Sequence, residues 1–284
     1  NVIDPREQAI KINVHSGGGT YPDEGEIACS NLKLTDSGRP QVNPVSGGCY
    51  TGGIDAHQSK GWTIRDNEIE GFWCENGLAE HAIHLWRGSR DTIVERNTMT
   101  NNARGVGFGL ASSGSARVYN DNACPQSSDK YVGHYNGIIR NNFIYANSQS
   151  LMNSASGFDC GICLWSACGA KVVHNTIVST DSIFSSIEWR FAGSQGIEIS
   201  NNIATHNLRE RNGAKGTLLN NLEGASLSLF LNAGSGDLHL NSDANEAINQ
   251  GAVLPSGLSD EDFDQETRDA EPDIGADEVI QKDH

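Results

Sequence analysis

One short phrase recurs along this chain and limits what it can fold into. Each copy has two hydrophobic residues, a polar pair that ends in Asn, and another hydrophobic residue. The copies are TIRDNEIEG (63–71), IVERNTMTNN (93–102), IIRNNFIYAN (138–147), VVHNTIVST (172–180) and IEISNNIATHN (197–207). Aligned on Asn67, Asn97, Asn142, Asn175 and Asn202, they are spaced by 30, 45, 33 and 27 residues, and Asn221 follows 19 residues later. Self-similarity at this period indicates a solenoid.

The repeat predicts an all-β chain that forms a right-handed parallel β-helix. Each unit holds two or three short β-type segments separated by Gly, Asn or Asp, and none has a helical period. We expect the Asn column to form a corner, because Asn tolerates the left-handed backbone conformation and stacked Asn side chains can hydrogen-bond from coil to coil. Residues 1–236 are predicted to form the coils, with an insertion at about 112–135, and residues 237–284 a closing segment of the same domain.

Composition excludes several classes of protein. The chain has 284 residues and a net charge of −16, which argues against binding to nucleic acid. No run of about 18 apolar residues is present, so we expect no membrane insertion. We expect a secreted or cell-surface monomer whose signal peptide was removed or lies outside this sequence; the segments AIKINVHSGGGT and EIACSNLKLTDSG could form one further coil.

Seven cysteines are consistent with an extracytoplasmic location. Most are predicted to form disulfides, with one left over; Cys160 with Cys168 and Cys29 with Cys49 are trial pairings, because connectivity cannot be deduced from sequence. Buried free thiols in a cytoplasmic protein are the alternative.

Alternating segments upstream of each Asn predict an outward patch. If Ile54, Ile83, Val106, Ile162 and Ile187 point inward, the following residues point outward. The outward columns are then Asp55, His84, Gly107, Cys163 and Glu188, and, two positions later, His57, Trp86, Gly109, Trp165 and Arg190. Coils stack about 4.8 Å apart, so these columns form one surface, with a hollow at the two glycines.

The C-terminal part carries a different signature. The segment 237–278 contains DLHLNSDANEAINQGA and DEDFDQETRDAEPDIGADE. It resembles the ending of secreted bacterial right-handed β-helix proteins, including chondroitinase-B-like and alginate-lyase-like polysaccharide lyases, in which this phrase closes the solenoid. Gln265 and Asn249 depart from the usual Gly and Asp. The resemblance implies the β-helix fold and a polysaccharide or oligosaccharide as the partner. It is specific for the architecture and does not specify the reaction.

The outward patch is the candidate binding groove. An exposed Trp beside charged groups suits a sugar ring. The alternative is that the insertion, with Arg117, Tyr119, Lys130 and Tyr131, folds over the patch and buries it. Candidate catalytic residues are Lys60, His57, His84, Arg87, Arg190 and Glu188; candidate substrate-binding residues are Asp55, Trp86, Trp165 and Tyr131.

Lyase chemistry on a uronate polymer needs a base for the C5 proton, a group that neutralises the carboxylate, and an acid for the leaving oxygen. The resemblance implies a Lys base and an Arg partner, with Ca²⁺ on the substrate carboxylate in several relatives. Lys60 is the only Lys that the alignment places close to the column, so Lys60 or His57 is the hypothetical base. Hydrolysis by Asp55 and Glu188 is disfavoured because at least two coils separate them; Asp159 is a weak alternative partner of Glu188.

The residues by themselves predict no metal site, and the cofactor is left open, with Ca²⁺ as the candidate. The run Asp260, Glu261, Asp262 and Asp264 suggests Ca²⁺, but it lacks the EF-hand spacing and is better explained as a structural turn. The nine histidines include no HExxH, so we expect no zinc site. The function expected first is therefore a polysaccharide lyase-like, carbohydrate-active β-helix protein; the alternative is a non-catalytic glycan-binding or adhesive module.

Overall fold

A computed structural model of the protein describes residues 1–14, 19–43, 48–127 and 131–280. Lys130 and the middle of the segment 9–20 lie outside the described residues. Over the described residues the structure is almost entirely β. The helical elements are α1 (Gln149–Met152) and 3-10 turns at Arg39–Gln41, Leu227–Leu229 and Ala233–Ser235. Among the described residues, no helix has the length and apolar character that crossing a membrane requires.

Most strands belong to three long parallel sheets. Sheet 1 contains β1 (Val2–Ile3), β4 (Asn31–Lys33), β7 (Glu68–Glu70), β11 (Thr98–Thr100), β15 (Phe143–Ala146), β19 (Thr176–Ser179), β22 (Ile203–Ala204) and β25 (Leu222–Glu223). Sheet 2 contains β3 (Glu26–Ala28), β6 (Thr63–Arg65), β10 (Ile93–Glu95), β14 (Ile138–Arg140), β18 (Lys171–Val173), β21 (Ile197–Ser200) and β24 (Gly216–Leu219). Sheet 3 contains β2 (Gln8–Ile12), β5 (Gly52–His57), β8 (Ile83–Trp86), β12 (Arg104–Gly109), β16 (Cys160–Trp165), β20 (Ser185–Arg190) and β23 (Leu208–Arg211).

Two smaller sheets complete the strands. A parallel sheet of β9 (Ser89–Arg90), β13 (His134–Tyr135) and β17 (Ala167–Cys168) lies between sheets 3 and 2 along the chain. An antiparallel pair joins β26 (Phe230–Asn232) to β27 (Asp237–Leu240).

The chain visits the three long sheets in one repeated order. From β5 it passes to β6 in sheet 2, to β7 in sheet 1, and back to β8 in sheet 3, and it repeats this cycle through β25. We call one such cycle a coil. Every neighbouring pair in the three sheets is parallel and comes from successive coils. This arrangement is compatible with a parallel β-helix.

The interior is built from aliphatic columns, one from each sheet. In sheet 3 the column is that predicted from the alternation, and all its members are fully buried: Ile54, Ile83, Val106, Ile162 and Ile187. Sheet 2 contributes Ile64, Val94, Ile139, Val172 and Ile199, and sheet 1 contributes Ile69, Met99, Ile144 and Ile177. Most of these inward residues are β-branched, which suits the pleated, half-buried surface of a strand.

The repeated Asn forms a hydrogen-bonded ladder, as the sequence predicted. The side-chain oxygen of Asn142 accepts hydrogen bonds from the backbone and side-chain nitrogens of Asn97, both at 3.0 Å. The same pattern continues from Asn142 to Asn175 and onward to Asn202 and Asn221. One detail was wrong: the left-handed conformation belongs to the residue before each ladder Asn, such as Asn141 at φ 51°.

The disulfides partly match the prediction. Three are formed and Cys29 is free and exposed, so six of the seven cysteines are paired. Both trial pairings were wrong, because the bonds are Cys49–Cys74, Cys124–Cys168 and Cys160–Cys163. Backbone separation decides disulfide pairing, and strand order alone does not reveal where loops run.

The insertion folds over the corner that follows β8. Backbone N–H of Arg117 donates to the Arg87 carbonyl at 2.8 Å, and the Arg117 guanidinium pairs with Asp23 at 2.6 Å. The Cys124–Cys168 disulfide ties the insertion to β17.

The segment that follows β27 packs along the side of the coils. Asn141, Asn201 and Asn220, each in the left-handed conformation, donate side-chain hydrogen bonds to its carbonyls. Within it, buried Arg268 pairs with Glu278 at 2.8 Å. The left-handed corners of four successive coils therefore receive the C-terminal segment, since His174 also contacts the Gly275 carbonyl.

The ladder predicts a large effect from one substitution. Asn142→Ala should lower the free energy of unfolding by about 2 to 4 kcal/mol, because several buried backbone and amide groups lose their partner together. Urea unfolding measures the change. Asn245→Ala, at an exposed position, is the matched control and should change stability by less than about 0.5 kcal/mol. Equal effects of the two substitutions would show that the ladder is not stabilising.

Candidate functional site

Sheet 3 presents the outward surface that the sequence predicted. Strand pairings align Asp55 with His84, His84 with Gly107, Gly107 with Cys163, and Cys163 with Glu188. They also extend the columns by one coil at each end, to Lys11 and to Arg209 and Arg211. We call this surface the charged face; its two columns are Lys11, Asp55, His84, Gly107, Cys163, Glu188, Arg209 and His57, Trp86, Gly109, Trp165, Arg190, Arg211.

A buried carboxylate organises the N-terminal end of this face. The Lys11 ammonium contacts Asp55 and lies 3.2 Å from Nε2 of His57. Nε2 of His57 is 3.3 Å from Asp55 Oδ2, and Nε1 of Trp86 donates to Oδ1 at 2.9 Å. Asp55 is only 2% exposed, whereas Lys11 reaches solvent. These four residues, Lys11, Asp55, His57 and Trp86, form the Asp55 cluster.

The surroundings of Asp55 keep its carboxyl ionised. Burial alone would raise its pKa, but the hydrogen bond with His57 and the electrostatic interactions with His84, His57 and Lys11 hold the pKa well below its ordinary value. A buried carboxylate that is surrounded by donors is stable only while those donors remain in place.

The Trp86 indole is half-buried and engaged on several sides. Its ring stacks with His84 at 5.3 Å and meets His57 edge-on at 4.8 Å. The exposed guanidinium of Arg87 lies 4.6 Å from the ring centre. Arg87 follows β8 with φ 59°, in the left-handed region, and this turn brings it back over the indole.

The hollow predicted at the glycines is filled. A side chain at Gly107 would collide with the imidazole of His81, with its ring atoms 2.5 to 2.6 Å from the added carbon. Burial lowers the pKa of His81 well below its ordinary value, and electrostatic interactions with His84 and Arg104 act in the same direction. His81 therefore sits neutral above Gly107, in the middle of the charged face.

A second carboxylate organises the other end of the face. Glu188 accepts a hydrogen bond from Trp165 Nε1 at 2.9 Å and pairs with Arg211 at 2.7 Å. Trp165 is only 8% exposed and packs with the Cys160–Cys163 disulfide, Leu110 and Phe191. The expectation that Trp165 offers an open sugar platform was therefore wrong, because neighbouring side chains cover it. Arg190, half-buried, donates to Asn212 at 2.9 Å.

Two predicted residues lie beside the face and not within it. The backbone of Lys60 bridges to Asp23 and Arg90, beyond the corner that ends β5. Tyr131 is buried in the insertion, near Gly114. The inference that Lys60 is the only Lys close to the column was wrong, because Lys11 pairs in register with Asp55.

Lys11 was missed although the sequence held a signal for it. The segment QAIKI alternates, and aligning Ile10 with Ile54 places Lys11 beside Asp55. The Asn phrase does not reveal this register, because the first coil has Ser30 where later coils have the ladder Asn. The Ser30 backbone N–H donates to the side-chain oxygen of Asn67. Tyr50, whose hydroxyl is 3.4 Å from Lys11 Nζ, was missed because it precedes its strand.

The carboxylates on this face do not form a hydrolase pair. Asp55 in β5 and Glu188 in β20 are separated by three intervening strands, or about 19 Å at the usual spacing. Asp159 is ion-paired with Arg104 at 2.8 Å, so it has a partner other than Glu188.

The acidic C-terminal run behaves as the structural turn that was expected. Asp260 accepts a hydrogen bond from the Gly257 backbone at 2.9 Å, Asp262 accepts from the backbones of Glu266 and Glu278, and Asp264 pairs with His239 at 3.0 Å.

A cavity of about 430 Å³ lies away from the charged face, beside Arg39 and Trp73. Its Arg39 is held by Asp36 and by the carbonyls of Trp73 and Gly71, so this guanidinium is already satisfied.

No protein-family profile matches the chain, and no curated protein is significantly similar to it.

The Asp55 cluster predicts a specific acid sensitivity. A lowered carboxyl pKa contributes stability above the ordinary value of 3.8, and this stability is lost as the pH falls below it. Asp55→Asn should lower the free energy of unfolding by about 2 to 4 kcal/mol at pH 7 and flatten its fall below pH 4. Urea unfolding between pH 7 and pH 2 measures both effects.

Asp36→Asn is the matched control, because that carboxylate is exposed and forms its ion pair with Arg39 at the protein surface, with 97% of the Asp36 side chain open to solvent. It should change stability by less than about 1 kcal/mol. If the free energy of unfolding of Asp55→Asn falls below pH 4 as steeply as that of the parent, the acid sensitivity does not come from this cluster.

Proposed function

We propose that the protein is an extracytoplasmic, carbohydrate-active right-handed parallel β-helix that binds a uronate-containing glycan on the charged face and cleaves it by β-elimination. The repeated passage through three parallel sheets supports the solenoid, and parallel crossovers are right-handed in almost all proteins. Three disulfides support an oxidising compartment. The C-terminal DIGA-E phrase supports a relationship to chondroitinase-B-like and alginate-lyase-like proteins.

The geometry of Lys11 and His57 is the observation that carries this proposal. β-Elimination removes the proton at C5 of the sugar, forms the C4–C5 double bond and breaks the bond from C4 to the leaving oxygen. Nε2 of His57 lies between an ammonium and a carboxylate, where it can exchange a proton. Lys11 and the exposed Arg87 supply positive charge for the substrate carboxylate, whose charge grows as the proton leaves.

Tyr50 completes the set of groups that the reaction requires. Its hydroxyl lies 3.4 Å from Lys11 Nζ, on the solvent side of the Asp55 cluster. In this proposal it gives a proton to the leaving oxygen, and His57 keeps the proton taken from C5 until solvent removes it. Asp55 does not touch the substrate; it holds Lys11, His57 and Trp86 in position.

The charge distribution supports an anionic ligand that runs along the coils. The chain as a whole carries −16, yet both ends of the charged face carry cations: Lys11 and Arg87 at one end, Arg190 and Arg211 at the other. The seven strands of sheet 3 span about 29 Å at the usual spacing, which accommodates several sugar units. A local excess of positive charge on an acidic protein steers polyanions to that surface.

A second candidate function is glycan binding without cleavage. The observation that favours it is that the carboxylates and cations of the face already pair with one another, as in Glu188 with Arg211. Such pairing rigidifies a binding surface, whereas a catalytic base must be free to take a proton.

Variants at the Asp55 cluster test the lyase proposal. On a panel of uronate polymers, formation of the unsaturated product is followed by ultraviolet absorbance, and binding is measured separately by calorimetry. His57→Ala should lower kcat/KM by about 10² to 10⁴-fold, the usual contribution of a positioned base. Lys11→Met should lower it by about 10² to 10³-fold, the usual cost of removing a group that stabilises developing charge. Lys33→Met, in sheet 1, is the matched control and should retain the parent rate.

The possible outcomes separate the candidates. Binding without product from any polymer would sink the lyase proposal and support the second candidate. Loss of turnover in Lys60→Met but not in His57→Ala would assign the base to Lys60, the other candidate that the sequence suggested.

A further inference from the structure

Buried polar atoms without partners concentrate around His84, in the middle of the charged face. Among the described residues, eight buried side-chain nitrogen or oxygen atoms lack a hydrogen-bond partner. Four of the eight belong to three neighbouring residues: Oε2 of Glu80, both ring nitrogens of His81, and Nδ1 of His84. An unpartnered buried polar atom costs about 1 to 3 kcal/mol, so such a concentration requires an explanation.

The hydrogen bond made by Nε2 of His84 fixes which ring nitrogen carries a proton, and this shows what its unpartnered Nδ1 requires. Its Nε2 lies 3.1 Å from the Gly109 carbonyl, so Nε2 carries a proton and donates it. Its Nδ1 lies 3.1 Å from Glu80 Oε2, but without hydrogen-bond alignment. In the neutral ring a lone pair would therefore face a carboxylate oxygen, which is repulsive unless a positive charge lies between them.

Protonation of His84 would account for only some of these unpartnered atoms. An imidazolium at His84 would neutralise Glu80 but would leave both nitrogens of His81 without a partner. His81 is fully buried, and its ring occupies the space that a side chain at position 107 would need. One ligand atom from each of Glu80, His81 and His84 lies within 4.8 Å of the others.

We propose that Glu80, His81 and His84 bind one divalent transition-metal ion of the Zn²⁺ class. Two imidazoles and one carboxylate suit this ion, whereas Ca²⁺ and Mg²⁺ prefer oxygen ligands alone. The 3.1 Å between His84 Nδ1 and Glu80 Oε2 matches the edge of about 3.3 Å that metal–ligand bonds near 2.0 Å produce in a tetrahedron. The Gly109 carbonyl is the outer partner that metal-bound histidines commonly have.

The position of the site explains two features of the fold. Gly107 leaves room for His81 above the strand, so the ion would lie between Trp86 and the Cys160–Cys163 disulfide. The Glu80 side chain is 22% exposed, which provides an entry path from solvent. Three protein ligands leave a coordination position open for water or another ligand.

Two other ligand sets are weaker. The sulfur atoms of Cys160 and Cys163 also lie within 4.8 Å of His81, but they form a disulfide and are not thiolates. In the set of His239, Asp264 and Asp277, both imidazole nitrogens already have carboxylate partners, because His239 pairs with Asp237 at 2.6 Å and with Asp264 at 3.0 Å. The proposal departs from the sequence-based expectation of no metal site and is independent of the proposed glycan chemistry.

Metal titration tests the proposal on the intact, oxidised protein. After dialysis against a chelator, Zn²⁺ is added in competition with a chromophoric chelator, and Co²⁺ is added in a parallel experiment. We expect one ion per chain, a higher Tm with Zn²⁺, and visible Co²⁺ bands without the near-ultraviolet band of a thiolate ligand. Glu80→Gln and His84→Ala should each weaken binding by more than about 100-fold.

His239→Ala is the matched control and should bind Zn²⁺ as the parent does. Folding of each variant is checked by circular dichroism, and Glu80→Gln, which keeps the shape of a partly exposed side chain, keeps the test valid if His84→Ala unfolds. The proposal is overturned if the oxidised protein binds no Zn²⁺, if binding follows His239, or if binding requires a dithiol reductant and is lost in Cys160→Ser.

Discussion

Parallel pairing of each strand with its counterpart one coil away is the constraint on which the rest of this structure depends. It holds residues from distant parts of the chain at one fixed spacing and in one register, so like positions stack in columns. The Asn ladder reinforces it at the corner between sheets 2 and 1, because each ladder oxygen accepts from two nitrogens of the preceding coil. In sheet 3, the inward-pointing columns then form part of the core, and the outward-pointing columns form the charged face.

The charged face is neutralised mainly from within. Asp55 and Glu188 each bind an indole N–H and a cation, so each carboxylate is stabilised by contacts across neighbouring coils. Between these two clusters lies His81, whose nitrogens find no partner among the described residues. The carboxylates at the two ends of the face therefore have partners, whereas buried nitrogens in its middle have none. We place the proposed glycan chemistry at one end and the proposed metal ion in the middle.

Sequence reasoning located the columns of sheet 3 correctly because alternation is a local property. It failed where the answer depended on side-chain direction or on the path of a loop. His81 precedes its strand, and nothing local shows that its ring turns back over Gly107. Trp165 was expected to be open to solvent, but Leu110 and Phe191 from flanking segments cover it.

The sequence alone therefore determined the all-β character, the parallel stacking and the outward columns, since period and alternation depend only on residues close together in the chain. Only the tertiary structure decided which cysteines pair, that Lys11 joins Asp55 and His57, and that Glu80, His81 and His84 converge. These contacts join residues from different coils or from segments outside the strands. Their formation depends on how loops run and how side chains fill the space between coils, and packing decides both.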